Sequence, residues 1–84
     1  MQNAESQKVT ERFFKALEVL KQEKVIRGLN TFCRIYNVNS RNLYQLKKDP
    51  SRDMLKLAWL SYLITDFNIS AEWLLTGRGR ILKK

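Results

Sequence analysis

The 84-residue chain contains no histidine, one cysteine, one proline and three glycines. The single cysteine excludes an internal disulfide, and the absence of histidine excludes zinc-finger spacing and any nucleophile paired with histidine. No apolar run approaches the ~18–20 residues that span a bilayer, and the first residues lack a signal-peptide core. We therefore expect a cytoplasmic protein without a metal, a cofactor or a membrane partner.

The acidic residues and the glycine-containing segment also give little support for a catalytic site. The acidic side chains of the second half are scattered beside caps or basic neighbours, as Asp49, Asp66 and Glu72 illustrate. The segment 77–79, Gly-Arg-Gly, lacks the Lys-Ser/Thr that follows a phosphate-binding loop and comes after a predicted helix instead of before one. We predict that the protein is not an enzyme, and that Cys33 is a small buried apolar residue.

Positive charge is present in excess, and its distribution is uneven. Sixteen Lys and Arg residues oppose eight Asp and Glu residues, which gives a net charge of +8. Residues 1–24 carry five basic and four acidic side chains, whereas residues 25–84 carry eleven and four. The excess predicts an anionic partner, either nucleic acid or a membrane surface. The membrane is the weaker alternative, because no single helix combines the basic residues with a large apolar face.

Few glycines and prolines, with apolar residues at spacings of three and four, predict an all-α fold. We expect five helices, at residues 9–24, 29–36, 40–48, 54–64 and 71–76, with Thr10, Ser51 and Ser70 as N-caps of the first, fourth and fifth. Residues 1–7 are expected to be disordered, residues 8–77 to form one domain, and residues 78–84 to form a basic tail. Nine of the eleven residues of the fourth predicted helix are apolar, which indicates a helix in the core or shared with a partner.

The organising segment is residues 28–49, where the turn Asn37-Val38-Asn39 separates two short helices. Asn tolerates the left-handed backbone region, so Asn37 can end one helix. Asn39 can then cap the next helix, while Val38 points inward. Leu43 and Leu46 are the apolar residues of the inward face of the second helix, and at 100° per residue Arg41, Tyr44 and Gln45 lie on the opposite side. The pattern predicts a helix-turn-helix.

This segment resembles the lambda-repressor-like helix-turn-helix family of phage and bacterial transcription regulators. The matching residues are Cys33, Asn37, Val38 and Asn39, followed by Leu43 and Leu46. The stretch at 68–79, which contains Trp-Leu-Leu-Thr-Gly, is similar to the closing helix of phage-repressor N-terminal domains. The family often has Gly where Asn37 stands, and often has a phosphate-binding Gln where Leu29 stands. The resemblance implies a five-helix DNA-binding domain whose helices 2 and 3 form the motif.

In helix-turn-helix docking, the second helix of the motif lies in the major groove and the first crosses the backbone. We therefore predict two groups of contacting side chains. Base edges are expected to be contacted by Ser40, Arg41, Asn42, Tyr44 and Gln45. Phosphates are expected to be contacted by Asn30, Thr31, Arg34, Lys47, Lys48 and Arg52.

The predicted function is sequence-specific binding of double-stranded DNA, as a transcriptional repressor of phage, plasmid or mobile-element type. A homodimer through the apolar surface of helix 4 and the C-terminal segment is expected. Two alternatives remain open at this point: a protein-interaction module that binds a toxin or another regulator, and a non-specific nucleic-acid binder.

Overall fold

The computed structural model describes residues 4–52 and 54–83, and these residues form five helices. The helices are α1 (Ala4–Gln22), α2 (Leu29–Tyr36), α3 (Ser40–Lys48), α4 (Leu57–Asp66) and α5 (Ala71–Thr76). Within those ranges there is no β-strand, and one isolated antiparallel bridge joins Ile69 to Leu82. The predicted all-α class is confirmed.

A single apolar core receives side chains from every helix. The ring of Phe13 on α1 lies at its centre, edge-on to Phe32 of α2 at a centroid distance of 5.7 Å and stacked on Trp59 of α4 at 6.0 Å. Burial of each large side chain of this kind stabilises the fold by ~1.5–3 kcal/mol. Side chains that are essentially inaccessible to solvent are Phe13, Leu17, Leu20, Phe32, Leu43, Leu46, Leu63, Ile69 and Leu74.

The α2–turn–α3 segment has the bounds that the sequence predicts. Asn37 ends α2 in the left-handed conformation, with φ 56° and ψ 47°. The Asn39 side chain accepts a hydrogen bond from the backbone N–H of Asn42 at 3.1 Å, which caps α3. Cys33 is buried, as expected. Local capping chemistry therefore fixes where α2 ends and where α3 begins.

Helix α1 starts earlier than its predicted start at residue 9. Its range is Ala4–Gln22, so residues 4–7 are helical and the prediction of disorder is wrong for them. Residues 1–3 of the segment predicted to be disordered lie outside the described part. Thr10 is not an N-cap. It is buried inside α1, and its hydroxyl donates to the carbonyl of Ser6 at 3.0 Å, an intrahelical bond that satisfies the polar group.

Helix α4 is shifted toward the C-terminus relative to its predicted range of 54–64. It begins at Leu57 after Lys56, which offers no side-chain cap, and it extends to Asp66. The prediction that Ser51 caps this helix is wrong: its backbone N–H and hydroxyl both donate to the Asp49 carboxylate in the turn after α3. The apolar sequence continues on both sides of the true start, so composition alone does not mark it.

Helix α5 is capped at both ends and is hydrogen-bonded to α1 through Arg12. Ser70 caps α5 by accepting from the N–H of Trp73, and Gly77 ends it with a φ of 80°. The Arg12 guanidinium donates to the carbonyls of Leu74 at 2.8 Å and Leu75 at 2.9 Å. A Cβ at Gly77 would lie 3.2 Å from the same guanidinium, so glycine suits both the turn and the contact.

The segment predicted as a basic tail folds back on the chain. The N–H of Ser70 donates to Ile81 at 2.7 Å, and the N–H of Lys83 donates to Asn68 at 2.9 Å. Ile81 and Leu82 are partly buried against the core, while Arg78, Arg80 and Lys83 remain exposed. Burial of Ile81 and Leu82 thus holds this segment against the core, whereas its positive charge had predicted a basic tail.

Candidate nucleic-acid interface

Helix α3 has an apolar face in the core and a polar face toward solvent. Leu43 and Leu46 are both 0% exposed. All five residues predicted to contact bases are exposed, namely Ser40, Arg41, Asn42, Tyr44 and Gln45. Because the two leucines are buried, they fix the rotation of α3 about its axis. The polar side chains on its other side therefore point to solvent.

Five side chains of α3 surround one shallow concavity of about 440 Å³, which we call the α3 face. They are Arg41, Tyr44, Gln45, Lys47 and Lys48. Three cations, one amide and one half-exposed aromatic ring lie together here. Arg and Gln can each donate to purine edges, and an aromatic ring can contact a thymine methyl group. The α3 face thus combines groups that recognise bases with groups that bind phosphate.

A second concavity, of about 380 Å³, lies between α1, the start of α2 and α3, and we call it the α1–α2 cleft. Four of the predicted phosphate-contacting residues line it: Asn30, Thr31, Arg34 and Lys47. Tyr44 and Lys47 line both this cleft and the α3 face, so the two concavities adjoin. The structure therefore brings most of the predicted contact residues onto one continuous surface.

Lys21 and Arg27 also line the α1–α2 cleft, although neither is among the contact residues predicted from the sequence. Lys21 belongs to the same stripe of α1 as Phe14, Leu17 and Glu18, at spacings of three and four. That spacing could have indicated its position, because residues three and four apart share a helix face. Arg27 lies in the linker before α2, where periodicity gives no direction.

Three predicted contact residues line neither of these two concavities. Asn42 lines another concavity, between the turn and α4, together with Lys56 and Tyr62. Ser40 is exposed at the first position of α3. Arg52 lies in the α3–α4 connection, 4.0 Å from the Asp49 carboxylate. Hydrogen bonds from Ser51 hold the pKa of Asp49 below its usual value, with a smaller contribution from the charge of Arg52.

Two stacked tyrosine rings join the end of α2, just before the turn, to α4. Tyr36, the last residue of α2, stacks on Tyr62 of α4 with centroids 4.0 Å apart and planes 3° apart. Its hydroxyl donates to the Asp66 carboxylate at 2.6 Å. Burial raises the pKa of Tyr36 above its ordinary value, and the hydrogen bond and charge of Asp66 raise it further. These contacts hold the end of α2 against α4. Burial likewise raises the pKa of Cys33.

An apolar patch lies on a different part of the surface. Leu57 of α4 is 81% exposed and Leu75 of α5 is 50% exposed. With Leu60, Ser61 and Ile64 they line a shallow depression of about 210 Å³. We call these five residues the α4–α5 patch. Its composition differs from that of the α3 face, which holds three cations.

Other kinds of site find no support within residues 4–52 and 54–83. No group of three or more carboxylates and thiols is placed to hold a metal ion there. None of the five helices has the length and apolar character needed to cross a bilayer. Comparison of the chain with family models, with curated proteins and with solved structures found no match.

Proposed function

We propose that the protein binds double-stranded DNA at specific sequences, with α2 and α3 acting as a helix-turn-helix of the lambda-repressor-like type and α3 in the major groove. The proposed role is that of a transcriptional repressor of phage, plasmid or mobile-element type. The observation that carries the proposal is the α3 face: Arg41, Tyr44 and Gln45 share one exposed surface while Leu43 and Leu46 anchor the helix behind it.

Electrostatics supports the same assignment. Among residues 4–52 and 54–83, only Glu18 is acidic of the charged residues that line the α3 face and the α1–α2 cleft. A cation that meets a phosphate releases condensed counterions, which adds a salt-dependent increment of affinity. Base contacts from Arg41 and Gln45 would then supply the sequence preference, because phosphate contacts carry no sequence information.

Self-association is the second part of the proposal. The α4–α5 patch exposes leucine side chains that would be stabilised by burial against a second copy of the chain. A two-fold dimer would present two copies of α3 about 34 Å apart, the spacing of successive major grooves. The same patch also favours a second candidate function, docking of a different regulator protein.

Selection of random double-stranded DNA on the purified protein tests the proposal, with the enriched sequence re-measured across salt concentrations. We expect a palindrome with half-sites about ten base pairs apart, bound ~10³-fold or more tightly than random DNA. Weak enrichment that disappears as salt rises would contradict specific binding and leave a non-specific electrostatic binder. An absence of DNA binding would favour the docking function.

Two variants of α3 separate base recognition from phosphate binding. Arg41→Ala should cost ~1–3 kcal/mol on the selected sequence and relax its sequence preference. Lys48→Ala should weaken binding to all sequences about equally and lower the salt slope by about one. Binding that both changes left unaltered on every sequence would show that another face of the molecule contacts DNA.

A further inference from the structure

The α1–α2 cleft carries an unbalanced set of charges. Lys21, Arg27, Arg34 and Lys47 line it, and Glu18 is the one carboxylate among the lining residues in the described part of the chain. The four cations come from α1, the α1–α2 linker, α2 and α3, so the fold gathers charges that are up to 26 residues apart in sequence. Like charges repel one another, and an anion in the cleft would relieve that repulsion.

The bottom of the cleft is apolar. Leu17 is buried beneath it, and Phe14 and Leu29 are partly buried at its sides. A DNA strand alternates an anionic phosphate with a largely apolar deoxyribose ring. Cations above apolar side chains therefore match a nucleotide backbone better than they match a free inorganic anion, which offers nothing to the apolar part.

The cleft adjoins the α3 face, and this position also favours the DNA backbone as its ligand. Tyr44 and Lys47 belong to both surfaces, so a strand that leaves the groove beside α3 passes directly to the cleft. The predicted phosphate contacts Asn30, Thr31 and Arg34 line the same cleft. Lys21 and Arg27 line the cleft as well, and they belong to α1 and to the α1–α2 linker, outside the helix-turn-helix.

We infer that Lys21 and Arg27 bind a backbone phosphate of the DNA that flanks the groove occupied by α3. The inference rests on the proposed DNA-binding function and extends the footprint to α1 and the linker that follows it. Glu18, in the same cleft, opposes the incoming phosphate and limits the affinity. The cleft thereby sets how tightly the protein holds DNA of any sequence.

The first experiment compares two double variants that each remove two positive charges. Lys21→Ala with Arg27→Ala alters the cleft. Lys8→Ala with Lys15→Ala alters exposed positions of α1 that lie about 120–140° around the helix from Lys21. We expect the cleft variant to bind the selected and random duplexes roughly three- to tenfold more weakly at 0.1 M salt, with a salt slope lower by about 0.9. The control should retain the wild-type slope.

A second pair of variants tests Glu18 with the opposite sign. Glu18→Gln should strengthen binding to every duplex by roughly 1.5- to threefold at low salt, because it removes a negative charge near the phosphate. Glu5→Gln removes the same charge at the other end of α1 and should leave affinity unchanged. Equal effects of the two substitutions would contradict a local role for Glu18.

The outcomes distinguish the inference from the function on which it rests. If the wild-type chain selects a sequence and the cleft variant behaves like its control, only the cleft assignment is wrong. If the wild-type chain binds no duplex, the proposed function fails and the inference fails with it. Amide shifts around the cleft that saturate with inorganic phosphate as readily as with duplex would indicate a site for small anions and overturn the assignment to the DNA backbone.

Discussion

The segment from α2 to α3 and the segment from α4 to the C-terminus are organised in different ways. In the first, Asn37 and Asn39 set the helix ends through their own backbone conformation and side chain. In the second, α4 begins without a side-chain cap, and the end of α5 is held by Arg12, which is more than 60 residues away in sequence. The first segment is fixed mainly by local chemistry, whereas the second combines local caps on α5 with tertiary contacts.

The two segments also expose different surfaces. The α3 face presents Arg41, Lys47 and Lys48 to solvent, whereas the α4–α5 patch presents Leu57 and Leu75. Local capping suits a helix whose outer face must remain polar, because such a helix has few apolar contacts with which to define its ends. A helix that is apolar on most sides can rely on packing instead.

The largest effect is expected from the anchor of α3. Leu43→Ala should lower the free energy of unfolding by ~2–5 kcal/mol, because it leaves a cavity in the core beneath the α3 face. Leu57→Ala removes the same atoms from a side chain that is 81% exposed in the single chain, and should change the stability of the unassociated chain by less than ~0.5 kcal/mol. Urea unfolding of both variants provides the measurement. Equal losses would contradict the contrast between a buried anchor and an exposed patch.

The next largest effect concerns the long-range contact that holds α5. Arg12→Ala should cost ~1.5–3 kcal/mol, since it removes two charged hydrogen bonds to the carbonyls of Leu74 and Leu75. Arg12→Lys keeps the charge near the negative end of the helix and should recover part of the loss. Arg78→Ala, at an exposed position after α5, is the matched control. A loss of similar size in the control would show that net charge, not this contact, sets the stability.

Both segments contain one side-chain cap, which permits a direct comparison. Asn39→Ala and Ser70→Ala should each cost ~1 kcal/mol, because each removes the acceptor for a backbone N–H in the first turn of a helix. Asn39→Ser and Ser70→Asn retain a capping oxygen and should restore most of the stability. If the cap of α5 proved dispensable while that of α3 did not, packing alone would suffice to start the fifth helix.

This contrast explains which parts of the fold were predictable from the sequence. The bounds of α2, α3 and α5 follow from Asn37, Asn39, Ser70 and Gly77, whose local chemistry is visible in the sequence. The start of α4 is not predictable in this way, because no capping residue marks it and Ser51 pairs with Asp49 instead. The order of residues 81–83 depends on pairing with residues 68–70, which periodicity does not reveal.

The candidate site was likewise predictable only in part. The rotation of α3 follows from Leu43 and Leu46, so the exposure of Arg41, Tyr44 and Gln45 could be predicted. The α1–α2 cleft could not, because it is assembled from four parts of the chain and includes a linker residue, Arg27. A concavity between elements depends on how the helices pack, and a single sequence contains no direct signal for that.

The smallest effect is expected where the two segments meet, at the hydrogen bond from Tyr36 to Asp66. Tyr36→Phe keeps the ring that stacks on Tyr62 and removes the hydroxyl, so it should cost ~0.5–1.5 kcal/mol at neutral pH. Because the pKa of Tyr36 is raised in the folded chain, the contribution of the hydroxyl is complete below pH ~10, the ordinary tyrosine value, and falls as pH rises above it. Wild type should therefore lose stability relative to the Phe variant as pH rises above ~10 in urea titrations. Tyr44→Phe, on the exposed face of α3, is the control for loss of a hydroxyl and should change stability at neutral pH by less than ~0.5 kcal/mol. Parallel pH profiles for wild type and Tyr36→Phe would contradict a raised pKa of Tyr36 in the folded chain, and would leave ring stacking and core packing to join the two segments.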